Sequence, residues 1–148
     1  MSEDYECDLD GAEYNFLIKV FDYGTYKDWI LLVSSYYQIP DDAKLLIKLR
    51  NDEVITLNVD NVSVGEVDVT SSFGYKKIDH YAAVFPIYLS HFDKIAKFGI
   101  KKVRISTPYS YRDKTFIANL LGSHITTSKK HIDKRLATTR HKSIDEDF

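Results

Sequence analysis

Apolar and polar residues alternate with a period of two along the first half of this chain, which confines that half to β-strands with one face on a core. Tyr14, Phe16, Ile18 and Val20 stand two apart, with Asn15 and Lys19 among the residues between them. Asp22-Tyr23-Gly24-Thr25 supplies turn chemistry, and Trp29 to Tyr36 is an apolar run of strand length that Ile39-Pro40-Asp41-Asp42 ends. Eleven Tyr and eight Phe against one Trp suit the pleat of such strands. The same tyrosines, apolar in body and polar at the tip, also fit a stacking or sugar-binding face.

One hairpin can be placed in register. Leu45, Ile47 and Leu49 must share a face with Ile55, Leu57 and Val59, and opposed residues in an antiparallel pair have numbers of constant sum. Ile47 opposite Ile55 meets both conditions and leaves a three-residue loop, Arg50-Asn51-Asp52, with Asn51 or Asp52 left-handed. Val62 and Val64 are out of phase with Val67 and Val69, which predicts a bulge or bend at Gly65-Glu66. Residues 71–77 read as loop, and 78–87 as a strand whose Pro86 marks an edge or an end.

After residue 87 the period changes. Ser90 followed by Asp93 has the spacing of a capping box, and Gly99 that of a C-terminal cap, which predicts a helix over 90–98. Ile100 to Thr107 returns to a strand, with Val103 and Ile105 inward. Ser110 and Asp113 repeat the capping spacing ahead of an apolar stripe of Phe116, Ile117, Leu120, Leu121, Ile125, Ser128, Ile132 and Leu136. That stripe predicts a long helix over about 112–136, weakened near Gly122.

The expected fold is α+β, a mostly antiparallel curved sheet or half-open barrel of six to seven strands with the two helices packed on it. Strands 78–87 and 100–107 form the one possible parallel crossover. Residues 1–12 read as a flexible acidic arm, 13–137 as a single globular domain and 138–148 as a frayed polar tail. A single cysteine, Cys7, gives no internal disulfide, and no stretch approaches the roughly 20 apolar residues of a membrane span. A cytoplasmic protein without membrane contact is expected.

The run Ala82-Ala83-Val84-Phe85-Pro86-Ile87, the capped helix and Gly99-Ile100-Lys101-Lys102-Val103-Arg104-Ile105-Ser106-Thr107 resemble uncharacterised small β-rich proteins of gut Bacteroidetes. The resemblance spans residues 78–136 and implies the order of elements, without an activity.

Charge is divided along the chain. Residues 1–74 hold fifteen Asp and Glu against five Lys and Arg, and residues 75–148 hold fifteen Lys and Arg against seven Asp and Glu. Lys101, Lys102, Arg104, Arg112, Lys129, Lys130, Lys134 and Arg135 make a candidate anion-binding surface, with Tyr109 and Tyr111 as aromatic contacts that could stack bases. The alternative is an internal seam, in which these cations pair with the acidic half and cover apolar surface with their stems. The overall pI near 6.2 favours the seam.

Enzyme signatures are missing. No G-x-S-x-G, P-loop or G-x-G-x-x-G occurs, and His124 and His131 stand seven apart, about 10 Å along a helix and too far to share one metal ion. No catalytic residue, metal ligand or cofactor is therefore assigned. The leading reading is a non-enzymatic binding or protein-interaction module that meets a protein partner or a second copy of itself. A nucleic-acid binder acting on the phosphate backbone through the basic half is the alternative. An enzyme with an unrecognised site near His80, His91 or Tyr109 is the third class.

Overall fold

The period-two segments fold into two antiparallel sheets. The computed structural model describes residues 4–147; the side chains of Ser71 and of residues 139–147 lie outside that description. The first sheet runs β1 (Tyr5–Leu9), β2 (Ala12–Asp22), β3 (Lys27–Ser35), β7 (Gly74–Pro86) and β6 (Asn61–Ser71), in that order. The second runs β5 (Val54–Asn58), β4 (Lys44–Leu49), β8 (Ile100–Ser106) and β9 (Tyr111–Thr115). Helix α1 (Leu89–Phe98) carries the chain from the first sheet to the second, and α2 (Leu120–Asp147) follows β9.

The core is the set of residues that the alternation turns inward. Across the first sheet Phe16 stands beside Val33 and Val33 beside Ala83, while Ile18, Leu31 and Phe85 form the next row. The second sheet contributes Leu45, Ile47, Leu49, Ile55, Leu57, Val103 and Ile105, and all of these side chains are buried together. Phe92 and Ile95 of α1 and Leu121, Ile125 and Ile132 of α2 join the same cluster. Each such aliphatic or aromatic side chain stabilises the fold by about 1.5–3 kcal/mol on burial.

The argued hairpin forms as expected. Ile47 lies opposite Ile55, and Asp52 adopts the left-handed conformation at φ 71° in the loop. Pro86 ends β7, so its missing N–H interrupts no ladder.

Other expectations need correction. Half of the acidic arm is strand: β1 pairs with β2, with Tyr5 opposite Phe16, and Cys7 and Leu9 are buried. Asp10-Gly11 makes the turn, both with positive φ, and the Gly11 N–H donates to Asp8 Oδ1 at 2.6 Å. No bulge forms at Gly65-Glu66, because β6 and β7 keep one register from Asn61 opposite Val84 to Ser71 opposite Gly74. Val67 and Val69 simply change face, at no cost where neither face meets the core. That ladder also turns most of the expected 71–77 loop into strand. No parallel crossover occurs, since β7 and β8 belong to different sheets.

The second helix begins at Leu120 rather than 112. Residues 111–115 are β9, and Asp113, instead of capping a helix, lies opposite Arg104 in the β8–β9 ladder. Gly122 lies inside the first turn of α2 rather than at a break, and the helix continues through the segment expected as a frayed tail. In α1, Leu89 is the first residue, and Tyr88 rather than Ser90 precedes it as the cap. The architecture among the described residues is thus nine strands in two sheets, not six or seven strands in one sheet or half-barrel.

Candidate interaction surfaces

The eight predicted cations fall into two groups, and carboxylates hold Lys101, Lys102, Arg104 and Lys129 among them. In the β8–β9 group, Lys101 Nζ lies 3.1 Å from Asp52 Oδ1, and Lys102 Nζ lies 3.1 Å from Asp113 Oδ2. Arg104 grips Asp113 through both oxygens, Nε to Oδ1 at 2.6 Å and Nη2 to Oδ2 at 3.0 Å. The Arg104 guanidinium holds the Asp113 carboxyl below its ordinary range, helped by Lys102. Lys101 does the same for Asp52, with Lys48 behind it. Arg112 donates to the Asp10 carbonyl at 2.8 Å and lies 4.9 Å from the centre of the Tyr37 ring.

The α2 group divides as well. Lys129 Nζ lies 2.7 Å from Asp133 Oδ2 and 5.0 Å from the centre of the Trp29 ring, so its stem covers the core edge. Lys130, Lys134 and Arg135 are exposed. Tyr109 is 97% exposed, whereas Tyr111 lies under the Arg104 guanidinium at 4.0 Å. A phosphate arriving at β8–β9 would have to displace a bidentate carboxylate that is already in place. Lys94 with Glu53 at 3.0 Å and Lys101 with Asp52 join the two charge halves at the β4–β5 turn.

His80 and His91 have structural work. His80 packs on Tyr36 with ring centres 4.8 Å apart. His91 Nδ1 accepts the Tyr88 N–H at 3.1 Å, while the His91 N–H donates back to the Tyr88 carbonyl at 2.9 Å. Burial, with Lys94 nearby, lowers the His91 pKa and keeps the ring in the neutral form that this cap requires. Among the described residues no three His, Cys, Asp or Glu side chains are placed to hold a metal ion. No helix among them is long and apolar enough to cross a membrane.

Sequence reasoning missed the feature that stands out most. Strand β3 stops at Ser35, opposite Tyr81, but β7 begins at Gly74 and pairs onward with β6 alone. Residues 65–71 and 74–80 therefore make a two-stranded ribbon, seven pairs and roughly 20 Å long, with no third strand beside it among the described residues. The outer edge of β6 meets no strand over its whole length among the described residues. One face of the ribbon carries Val67, Val69 and Ile78, and the other carries Glu66, Asp68, Asp79 and Lys77. Phe73 at the tip and Tyr75 beside it are exposed.

Two clefts flank the body. One of about 560 Å³ lies between Tyr37, Pro40 and the Thr107–Ser110 turn, with Arg112 in its wall. The other, of about 570 Å³, lies on the outer face of the first sheet near the β2–β3 turn. Comparison with protein families, with curated proteins and with solved structures found no match for the chain.

Proposed function

We propose that this protein is a non-enzymatic interaction module whose β6–β7 ribbon adds an extended segment of a partner protein as a further strand. The observation that carries this reading is the ribbon's isolation. A two-stranded hairpin with no hydrophobic backing is marginal in water, and a third strand is what stabilises it. Strand addition supplies that through main-chain hydrogen bonds along the open β6 edge, with alternate side chains giving specificity.

The side chains define the partner. A strand laid beside β6 meets Glu66 and Asp68 on one face and Val67 and Val69 on the other. Opposite charges directly across a ladder favour pairing and like charges oppose it. The fitting segment therefore alternates Lys or Arg with β-branched apolar residues.

A synthetic Val-Lys alternating octapeptide and its Val-Glu counterpart, each fluorescently labelled, test this by anisotropy and amide hydrogen exchange. The Val-Lys peptide is expected to bind, to slow exchange along 61–71 and to weaken as salt is raised. Equal binding of the two peptides, or no protection of β6, would overturn the reading. The nucleic-acid reading competes through the exposed Lys130 and Lys134, and steeply salt-dependent binding of an oligonucleotide lost on their replacement by Gln would favour it instead.

A further inference from the structure

The cleft near the β2–β3 turn makes different demands from the ribbon. Its floor is the outer face of the first sheet, Ile30, Val84 and Pro86, and Phe21, Tyr23 and Tyr88 rise around it. All three rings are more than half exposed. Tyr23 is braced by Tyr26, stacked at 4.8 Å, on a turn closed by the Tyr23 N–H to the Tyr26 carbonyl. A second hollow of about 250 Å³ adjoins the cleft and shares Asp60, Pro86 and Tyr88 with it. Tyr88 thus stands between two contiguous hollows, which suits a ligand with more than one unit.

The polar groups narrow the ligand's chemistry. Asp28 and Asp60 line the cleft and, when ionised, can only accept hydrogen bonds. Asn61 both donates and accepts. His91, in the second hollow, uses Nδ1 to accept the Tyr88 N–H, so the proton of its neutral ring sits on Nε2 as a donor. A ligand matching this set must donate and accept along its rim while laying apolar faces on the rings. Phosphate fails because the two carboxylates outnumber Lys27, and the same excess makes an organic cation the competing ligand that the spermidine arm of the test decides. Hydroxyls on a saturated ring meet every requirement.

We infer that this cleft and the hollow beyond Tyr88 bind a neutral oligosaccharide, with sugar faces stacked on Tyr23 and Tyr88 and hydroxyls held by Asp28, Asp60 and Asn61. The site stands apart from the ribbon, and replacing Val67 and Val69 leaves it intact.

The single tryptophan, Trp29, borders the cleft and serves as the reporter. Cellohexaose, xylohexaose, mannohexaose and laminarihexaose are titrated against the full chain by Trp emission and by calorimetry. At least one is expected to bind saturably and more tightly than its monosaccharide. Tyr88→Ala and Tyr23→Ala each weaken that binding by roughly three- to tenfold, and Tyr109→Ala at the other cleft has no effect. Both cleft rings are exposed, so either variant keeps the fold, which the far-ultraviolet dichroism and melting temperature verify. Failure of all four hexasaccharides at millimolar concentration overturns the inference. So does binding that survives both variants, or saturable binding of spermidine with none of a sugar.

Discussion

Asn119 shows how a single side chain can set where an element begins. Its Oδ1 accepts the Ile100 N–H at 2.8 Å, and its amide fills the space that Cβ atoms on Gly99 and Gly122 would occupy. A Cβ on Gly122 collides with Asn119 Oδ1 outright. Helix propensity alone makes Gly→Ala stabilising by about 1 kcal/mol in a helix. Here Gly122→Ala is expected to destabilise by about 1–3 kcal/mol, the range for overpacking a filled site, and urea denaturation reads the sign directly. A gain in stability would show that Asn119 moves aside freely. In the sequence Gly122 is legible only as a weak point in a helical stripe, because the reason for it lies on another segment. Asp113 was hidden in the same way: the capping-box spacing from Ser110 is a local pattern, and Arg104 becomes its partner only once β8 and β9 are in register. The site residues share this limit, since a list of cations does not say which carboxylates will face them.

At the scale of elements, legibility followed the strength of the period. The β4–β5 register could be derived because both apolar sets are fully buried and a slip by one residue would turn each set outward. Strand β1 was missed although Asp10-Gly11 is a strong hairpin signal, because acidic residues at its exposed positions masked the inward Cys7 and Leu9. The ribbon was read as a bulge and a loop because its alternation answers to no core. Helix α1 closes its first turn on the His91 ring in place of the acidic residue, Asp93, that the spacing suggested, and this gives a pH-dependent end. With its pKa lowered in the folded state, His91 contributes stability that is fully present above the ordinary value, about 6.5. That stability is lost as the pH falls through the folded value, because the unfolded chain takes up the proton first. His91→Gln is therefore expected to flatten the fall in melting temperature between pH 7 and pH 5. If the slope stays the same in the variant, this ring is not its source.

The division of charge along the sequence resolves, at the scale of the whole molecule, into one neutralised region and one that stays acidic. Around the β4–β5 turn Lys94 and Lys101 of the basic half meet Glu53 and Asp52 of the acidic half, and these exposed pairs hold the halves in register more than they add stability. The ribbon is different. Glu66 and Asp68 point from the open β6 edge with only Lys77, 3.8 Å from Glu66, in partial compensation. Long open edges invite pairing between copies, and charges on them are the usual guard. The register arithmetic makes that guard specific. Two β6 strands related by a two-fold axis could match Val67 with Val67, but Glu66 would then face Asp68 on both sides of the axis. Matching Val67 with Val69 sets Asp68 against Asp68. Both registers that pair Val67 with a valine are closed by like charge, whereas a basic alternating strand meets no such barrier. The double variant Glu66→Gln with Asp68→Asn removes the guard and keeps the shape. Sedimentation velocity at neutral pH and low salt is expected to find the native chain monomeric and the variant shifted toward dimer, by tenfold or more in association constant, since two relieved carboxylate contacts amount to about 1.4 kcal/mol or more. The same variant should lose its preference for the Val-Lys peptide over the Val-Glu peptide. A variant that remains monomeric while keeping that preference would mean that charge on β6 governs neither pairing, and that the ribbon selects its partner by another property.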